Sequence, residues 1–192
     1  MADETDEELM RRLRAGEELA LNTLMVRWEK PLLGYLLRQV GNEAVATDLA
    51  EETFVRLYEA RGSYEGRGRF STWLYTIATN LSRNHHRWRA RHPSVSLDAP
   101  LAAGAGAALC DVLPAPARSP DEDVARSDTA RVVREAVERL PEEQRTALLL
   151  FEFQDLPHAE IGAILGCSPK AVETRLYRAR QSLRETLARQ LS

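Results

Sequence analysis

The sequence predicts an all-α fold in which two small helical domains are joined by a flexible linker. Apolar residues recur at helical spacing through most of the chain, and no segment alternates apolar and polar residues as a strand does. Of the 192 residues, 44% are hydrophobic but only 6% are aromatic. This balance favours cores built from Leu, Ala, Val and Ile. The predicted boundaries are 1–92 for the N-terminal domain, 93–127 for the linker and 128–192 for the C-terminal domain.

Three helices are predicted in the N-terminal domain, at residues 17–40, about 45–60 and about 71–89. Pro31 lies inside the first and marks a kink or a fresh helix start. Gly41 is a residue that commonly ends a helix, and it separates the first two. The third follows a glycine-rich loop at 61–69, and Ser71 is its expected N-cap residue.

The linker is predicted from its composition, which combines five prolines with an AAGAGAA tract. Such a stretch sustains no helical or strand periodicity and is typical of a flexible tether. The alternative is an ordered loop packed on one domain. Beyond it, residues 123–140 are amphipathic, and a further helix opens with Pro141 in its first turn and continues to 153.

Residues 158–184 have the pattern of a helix-turn-helix. A short helix at 157–165 leads to Gly166, where the sharp turn requires a residue that tolerates positive φ. Ser168 can then cap a second helix, with an apolar stripe at Val172, Leu176, Ala179, Leu183 and Leu187. The opposite face is polar and suits the major groove of B-DNA. The alternative to DNA binding is that this polar face is simply the solvated side of a helical hairpin.

The formal net charge is −3, but the basic residues are concentrated in two places. Six arginines and no acid lie between residues 67 and 91, and five basic residues and one Glu between 170 and 184. In the first, Asn80 and Asn84 are one helical turn apart, so both amides can face a base edge while arginines hold phosphates. In the preceding loop, Tyr64 can stack on an unpaired base. The alternative for the arginines is that they form a solvated helix end and do not bind DNA.

Other function classes find little support in the sequence. It contains no phosphate-binding glycine loop, no metal-ligand spacing and no paired carboxylates in a pocket-like context, so neither enzymatic activity nor a cofactor or metal is expected. His85 and His86 are adjacent and form a poor metal pair. Cys110 and Cys167 are expected to be free thiols. No apolar run suits a membrane span or a signal peptide, which predicts a cytoplasmic protein without membrane contact of its own.

Two segments resemble the sigma-70 family of RNA polymerase initiation factors. DLAEETFVRLYEA at 48–60 and RFSTWLYTIATNLSRN at 69–84 are similar to the module that binds core polymerase and reads the −10 element. LPEEQRTALLLFEFQDLPHAEIGAILGCSPKAVETRLYRAR at 140–180 is similar to the domain that reads the −35 element. The presence of these two modules alone resembles the extracytoplasmic-function (ECF) group. The resemblance implies an alternative sigma factor, monomeric when free, whose partners are core polymerase, double-stranded and melted promoter DNA and an anti-sigma factor.

The resemblance also implies roles for individual residues. The contact with core polymerase would involve Asp48, Glu51, Glu52 and Phe54. The −10 element would be contacted by Tyr64, Arg67, Arg69, Asn80, Arg83, Asn84 and Arg87. The −35 element would be contacted by Ser168, Lys170, Glu173, Thr174, Arg175, Tyr177 and Arg178. Glu173 departs from the basic residue often found at its position; a carboxylate cannot hold phosphate but can accept from a cytosine amino group.

One alternative function remains, a self-sufficient helix-turn-helix regulator. It would account for residues 140–184 but would leave the segments at 48–60 and 69–84 without a role. It also requires a strong dimer face, which the sequence does not show. A measurement of size in solution separates the two functions.

Overall fold

The structure is a computed structural model that describes residues 4–66, 68–92 and 120–190, with side chains from residue 129 onward in the last range. Within these ranges it contains helices and no strand. The α-helices are α1 (Asp6–Arg14), α2 (Leu19–Val40), α3 (Glu43–Glu59), α4 (Phe70–Arg91), α5 (Pro120–Glu138), α6 (Glu142–Gln154), α7 (His158–Leu165) and α8 (Pro169–Gln190). A 3-10 helix, Ala60–Ser63, follows α3. The all-α prediction is confirmed.

Helix α1 was not predicted, although its start has a recognisable signal. The Thr5 hydroxyl accepts a hydrogen bond from the Glu8 amide at 3.2 Å, and acidic residues occupy the first turn. Ser or Thr followed three residues later by Glu is a known helix-start pattern, and early acids favour the positive end of the helix dipole. The helix buries Leu9, Met10 and Leu13 completely, so it belongs to the core.

Helices α2 and α3 form an antiparallel hairpin. Gly41 ends α2 in the left-handed conformation with φ 69°, and Asn42 caps α3 by accepting from the Val45 amide at 3.0 Å. The predicted break at Gly41 is therefore confirmed. Helix α2 continues through Pro31, so the possibility of a fresh helix start there is wrong.

Helix α4 begins differently from the prediction, because Ser71 does not cap it. Ser71 lies buried inside the first turn, and Arg69 holds the N-cap position without a side-chain bond. A cap comes instead from α1, where a Glu7 carboxylate oxygen accepts from the Phe70 amide at 2.9 Å. An acceptor far away in sequence thus satisfies one of the free amides at the helix start.

The C-terminal helices begin with α5, whose first residue, Pro120, lies inside the segment predicted as linker. Residues 93–119 lie outside the described part of the chain. Pro141 is the N-cap residue of α6 and not part of its first turn. Helices α7 and α8 correspond closely to the predicted helix-turn-helix.

We refer to α1–α4 as the N-terminal module and to α5–α8 as the C-terminal module. The two pack against each other, with α2 against α6 and α4 against α7. Buried apolar residues of both modules form one connected cluster. In the described residues, no helix combines the length and apolar character that crossing a bilayer requires.

Candidate nucleic-acid and partner interfaces

The turn between α7 and α8 is unusually tight. Gly166 has φ 65°, as the sequence predicted. Gly162 faces this turn, and a Cβ atom built on it would lie 2.7 Å from the Cys167 carbonyl oxygen. The Ser168 hydroxyl accepts from the Ala171 amide at 3.2 Å, which confirms the predicted cap. These contacts fix the direction in which α8 leaves the turn.

Helix α8 has one buried and one exposed face. Val172, Leu176 and Ala179 are almost completely buried against the module, as predicted. The structure brings most of the residues predicted to contact the −35 element together on the exposed face. These are Ser168, Lys170, Glu173, Thr174, Tyr177 and Arg178. An exposed polar helix face after a tight turn is the geometry with which a helix enters the major groove.

Lys170 and Glu173 form an ion pair on this face. The ammonium nitrogen lies 2.7 Å from the carboxylate, and both side chains are mostly exposed. The hydrogen bond from Lys170 lowers the pKa of the Glu173 carboxyl group. Glu173 is therefore ionised at neutral pH and offsets the charge that Lys170 would offer to a phosphate.

Arg175 differs from its neighbours on α8. Its guanidinium donates to the Glu143 carboxylate and to the Cys167 sulfur, both at 2.7 Å, and its side chain is 20% exposed. The prediction that Arg175 contacts DNA is corrected for this structure, because the guanidinium is held against α6 and the turn.

Asn80 and Asn84 are exposed on α4, as their spacing predicted. Both line a cleft of about 460 Å³ between α3 and α4, whose walls include Trp73, Ile77 and Arg56. The Arg87 guanidinium donates to the side-chain oxygen of Asn84 at 2.7 Å. The cleft thus combines amides, a ring and cations, which are the groups that bind an unpaired base.

Two further arginines predicted for the −10 element, Arg69 and Arg83, do not line this cleft. Arg83 donates to the Glu142 carboxylate at 3.0 Å and is 22% exposed. Arg69 lies 3.3 Å from Glu160 but remains largely exposed. Arg67 lies outside the described residues. Both described ion pairs join the N-terminal module to the C-terminal module.

Tyr64 does not have the position expected of a base-stacking residue. Its side chain is 7% exposed, and its ring packs on Trp73 with 5.1 Å between centroids. Burial, with Glu7 and Asp6 nearby, raises the pKa of the hydroxyl group. The prediction is therefore corrected: Tyr64 packs beneath Trp73, and Trp73 is the ring that lines the cleft.

The predicted polymerase contact on α3 also needs one correction. Asp48 and Glu51 are exposed, and Glu52 is half-buried and paired with Arg56 at 2.7 Å. Phe54 is 5% exposed and belongs to the core, whereas Val55 is 50% exposed. Val55 follows the acids at 52 and 51 by three and four residues, so it lies beside them on α3.

No cluster of three or more potential metal ligands occurs among the described residues. Cys167 is a free thiol, and Cys110 lies outside the described residues. Three surfaces carry the described residues predicted to bind: the exposed face of α8, the cleft between α3 and α4, and the acidic patch on α3 formed by Asp48, Glu51, Glu52 and Val55.

Comparisons with solved structures identify proteins of the same fold. The structure of CnrH in complex with the cytosolic domain of CnrY aligns with a TM-score of 0.67 and 24% identity, covering 95% of this chain and 97% of that chain. The sigma factor RpoE in complex with the anti-sigma factor NepR, from Bartonella quintana, aligns with a TM-score of 0.65 and 23% identity, covering 87% and 96%. Both comparisons show the same fold.

Sequence comparisons identify the family. Residues 24–92 match the family described as Sigma-70 region 2, and residues 130–183 match Sigma-70, region 4. The RNA polymerase sigma-H factor of Pseudomonas aeruginosa is 33% identical over 97% of this chain and 96% of its own length. The ECF RNA polymerase sigma-E factors of Escherichia coli K12 and Haemophilus influenzae are 32% and 30% identical, each over 93% of this chain. The chain therefore belongs to the sigma-70 family of RNA polymerase sigma factors, in its ECF group.

Proposed function

We propose that this ECF sigma factor directs core RNA polymerase to promoters through three surfaces with separate tasks. The exposed face of α8 reads the −35 element in the major groove. The cleft between α3 and α4 binds the −10 element, including a base freed from the duplex. The acidic patch on α3 docks on core polymerase.

The observation that carries the proposal is the arrangement of α8. A capped helix leaves a tight turn with its apolar stripe buried and its polar face exposed, in the segment that matches region 4. The alternative of a self-sufficient regulator is not favoured, because the N-terminal module matches region 2 and would have no role in it.

Melting of the promoter needs no catalytic group in this scheme. Extruding a base costs on the order of a few kcal/mol, and capture of that base between Trp73 and the amides of Asn80 and Asn84 offsets the cost. The protein acts as a binding factor without catalytic activity or cofactor.

The proposal extends to partners and cellular location. The solved structures of similar fold include a sigma factor bound to an anti-sigma factor, and we extend such a partner to this chain. The site of action is the cytoplasm, where polymerase and promoters meet, and the free chain is a monomer. The two modules act as separate DNA-binding domains, with residues 93–119 between them.

Run-off transcription with core polymerase on a library of randomised promoters tests the proposal. The expected result is selection of two elements at a fixed spacing. Arg178→Ala should lose preference at the −35 element only, and Asn80→Ala at the −10 element only. Arg184→Ala is the matched control, since Arg184 is an exposed arginine six residues further along α8. Initiation that is unchanged by both Arg178→Ala and Asn80→Ala would overturn the proposal.

A further inference from the structure

Helix α1 holds both ends of the segment 65–69, which leads into α4. The Arg14 guanidinium donates to the Tyr64 carbonyl oxygen at 2.6 Å, just before this segment. The Glu7 carboxylate accepts from the Phe70 amide at 2.9 Å, just after it. Both hydrogen bonds involve a charged group, which makes them stronger than bonds between neutral groups. Glu7 and Arg14 are seven residues apart, so they lie on one face of α1, two turns from each other.

Two features make the segment dependent on these anchors. Gly66 and Gly68 have φ values of 69° and 116°, and glycine loses more conformational freedom on folding than any other residue. The hydroxyl oxygen of Tyr64 is buried without a hydrogen-bond partner among the described residues. The Tyr64 ring is therefore not fixed through its own polar group, and its backbone carbonyl is the point at which α1 holds it.

Helix α1 is itself firmly attached, so it can act as a support. Leu9 and Leu13 are almost completely buried in the core. The Asp6 carboxylate accepts from Trp28 Nε1 at 3.0 Å and pairs with Arg27, both of which belong to α2. Side chains that project from α1 thus have a fixed origin relative to α2.

Both anchors lead to Trp73, the ring that lines the cleft between α3 and α4. The Tyr64 ring packs on Trp73 with 5.1 Å between centroids. Phe70 is the first residue of α4, and Trp73 follows it by about one turn. Trp73 and Asn80 lie on the same wall of the cleft. A shift at either anchor therefore moves the ring relative to the amide, and binding sites require such groups to be held within about 0.5 Å.

We infer that Glu7 and Arg14 are positioning residues for base selection at the −10 element. They act through the Tyr64 backbone and the first turn of α4, which together set the place of Trp73 in the cleft. This inference rests on the proposed function, which assigns the −10 element to that cleft. It adds a helix outside the cleft to the parts of the protein that decide which base is accepted.

The test compares two double variants of α1 with full-length protein and core polymerase. Glu7→Ala with Arg14→Ala removes both anchors. Glu8→Ala with Arg11→Ala removes an exposed ion pair of the same helix, 2.9 Å long, and is the matched control. Each variant loses one acid and one arginine, and alanine is the best helix former.

The measurement is the ratio of run-off transcription from two promoters that differ in one base of the −10 element. Because one protein preparation transcribes both promoters, a loss of folded protein cancels in the ratio. The ratio should fall by about tenfold in the first variant, which is the discrimination that one good base contact supplies. It should stay unchanged in the control, and preference at the −35 element should stay unchanged in both. An unchanged −10 ratio in the first variant would overturn the inference.

Two milder variants separate position from charge. Glu7→Gln keeps the length of the side chain and an oxygen that can accept from the Phe70 amide. Glu7→Asp keeps the charge but is shorter by one methylene group. We expect Glu7→Gln to retain most of the −10 selection and Glu7→Asp to lose it. Selection retained by Glu7→Asp would contradict a positioning role.

The same promoters distinguish this inference from the proposed function. If the unaltered chain shows no −10 preference with core polymerase, the proposed function fails and the inference fails with it. If the unaltered chain shows the preference and the variant without both anchors keeps it, the proposed function stands and only the role of Glu7 and Arg14 is excluded.

Discussion

Phe54 and Val55 are neighbours on α3 and face opposite environments, the first 5% and the second 50% exposed. One residue therefore supports the core, and the next is the apolar centre of the acidic patch. Although both are apolar, we expect substitutions at the two positions to have different consequences.

Val55→Glu should weaken binding to core polymerase by at least about tenfold, because a carboxylate would enter the apolar centre of a desolvated contact. The free energy of unfolding should hardly change. Phe54→Ala should instead lower that free energy by about 3–5 kcal/mol, the usual cost of truncating a buried aromatic residue. Urea unfolding and a polymerase pull-down distinguish the two effects. A Val55→Glu chain that binds polymerase normally would exclude this patch.

Glu173→Gln should change how α8 reads the −35 element. Loss of the carboxylate releases Lys170 to contact a phosphate, so the slope of log K against log salt should steepen by about one. Base preference should move from cytosine toward adenine, which a side-chain amide reads with two hydrogen bonds. The measurement is DNA binding by the polymerase complex across a salt series. Glu185→Gln makes the same charge change near the C-terminal end of α8. It should change neither the salt dependence nor the base preference.

Gly162→Ala should destabilise the helix-turn-helix. The added Cβ would lie 2.7 Å from a backbone oxygen, which cannot move without shifting the turn. Overpacking of this kind costs about 1–3 kcal/mol, measurable by thermal unfolding. Gly62→Ala is the matched control, because open space surrounds Gly62. Equal stability of the two variants would show that the turn relaxes freely.

Packing of the N-terminal module against the C-terminal module should weaken as the pH falls. Burial, and then the charge of Arg145, lower the pKa of His86, while the Gln39 carbonyl and Glu142 act in the opposite direction and His85 adds to the lowering. His86 therefore binds a proton less readily when the modules are packed than when they are separated, because an exposed histidine has an ordinary pKa of about 6.5. The stability of the packing is present above that pKa and is lost as the pH drops below it. Small-angle scattering between pH 8 and pH 6 checks this, and His86→Gln should remove that part of the pH dependence.

Local patterns in the sequence predicted local structure well. Gly166, Ser168 and the first part of the α8 stripe follow from backbone geometry and helical spacing, and these predictions are confirmed. Leu183 and Leu187, at the end of the predicted stripe, are only partly buried. The exposed positions of Asn80 and Asn84 follow from the same spacing. Each of these properties depends on residues only a few positions apart.

Properties that depend on distant partners could not be predicted in this way. The sequence predicts that Tyr64 is free to stack on a base, but in the fold its ring packs against Trp73. It also predicts that Arg175 is free to contact DNA, but Arg175 pairs with Glu143 of another helix. The cap on α4 comes from Glu7, 63 residues earlier. Gln39 forms hydrogen bonds with Thr146 and Arg145 of the other module, more than 100 positions away. Helical periodicity cannot predict such contacts.

Helix α1 has a practical consequence for dissecting the protein. The match to Sigma-70 region 2 begins at residue 24, which invites a truncated fragment that starts there. Such a fragment would lack Leu9, Met10 and Leu13, so apolar residues that they cover would be exposed. It would also lack the Glu7 carboxylate that accepts from the Phe70 amide. Fragments used to measure −10 recognition should therefore begin no later than Glu4, so that they include α1. In a shorter fragment, weak DNA binding would reflect a destabilised domain and not the promoter sequence.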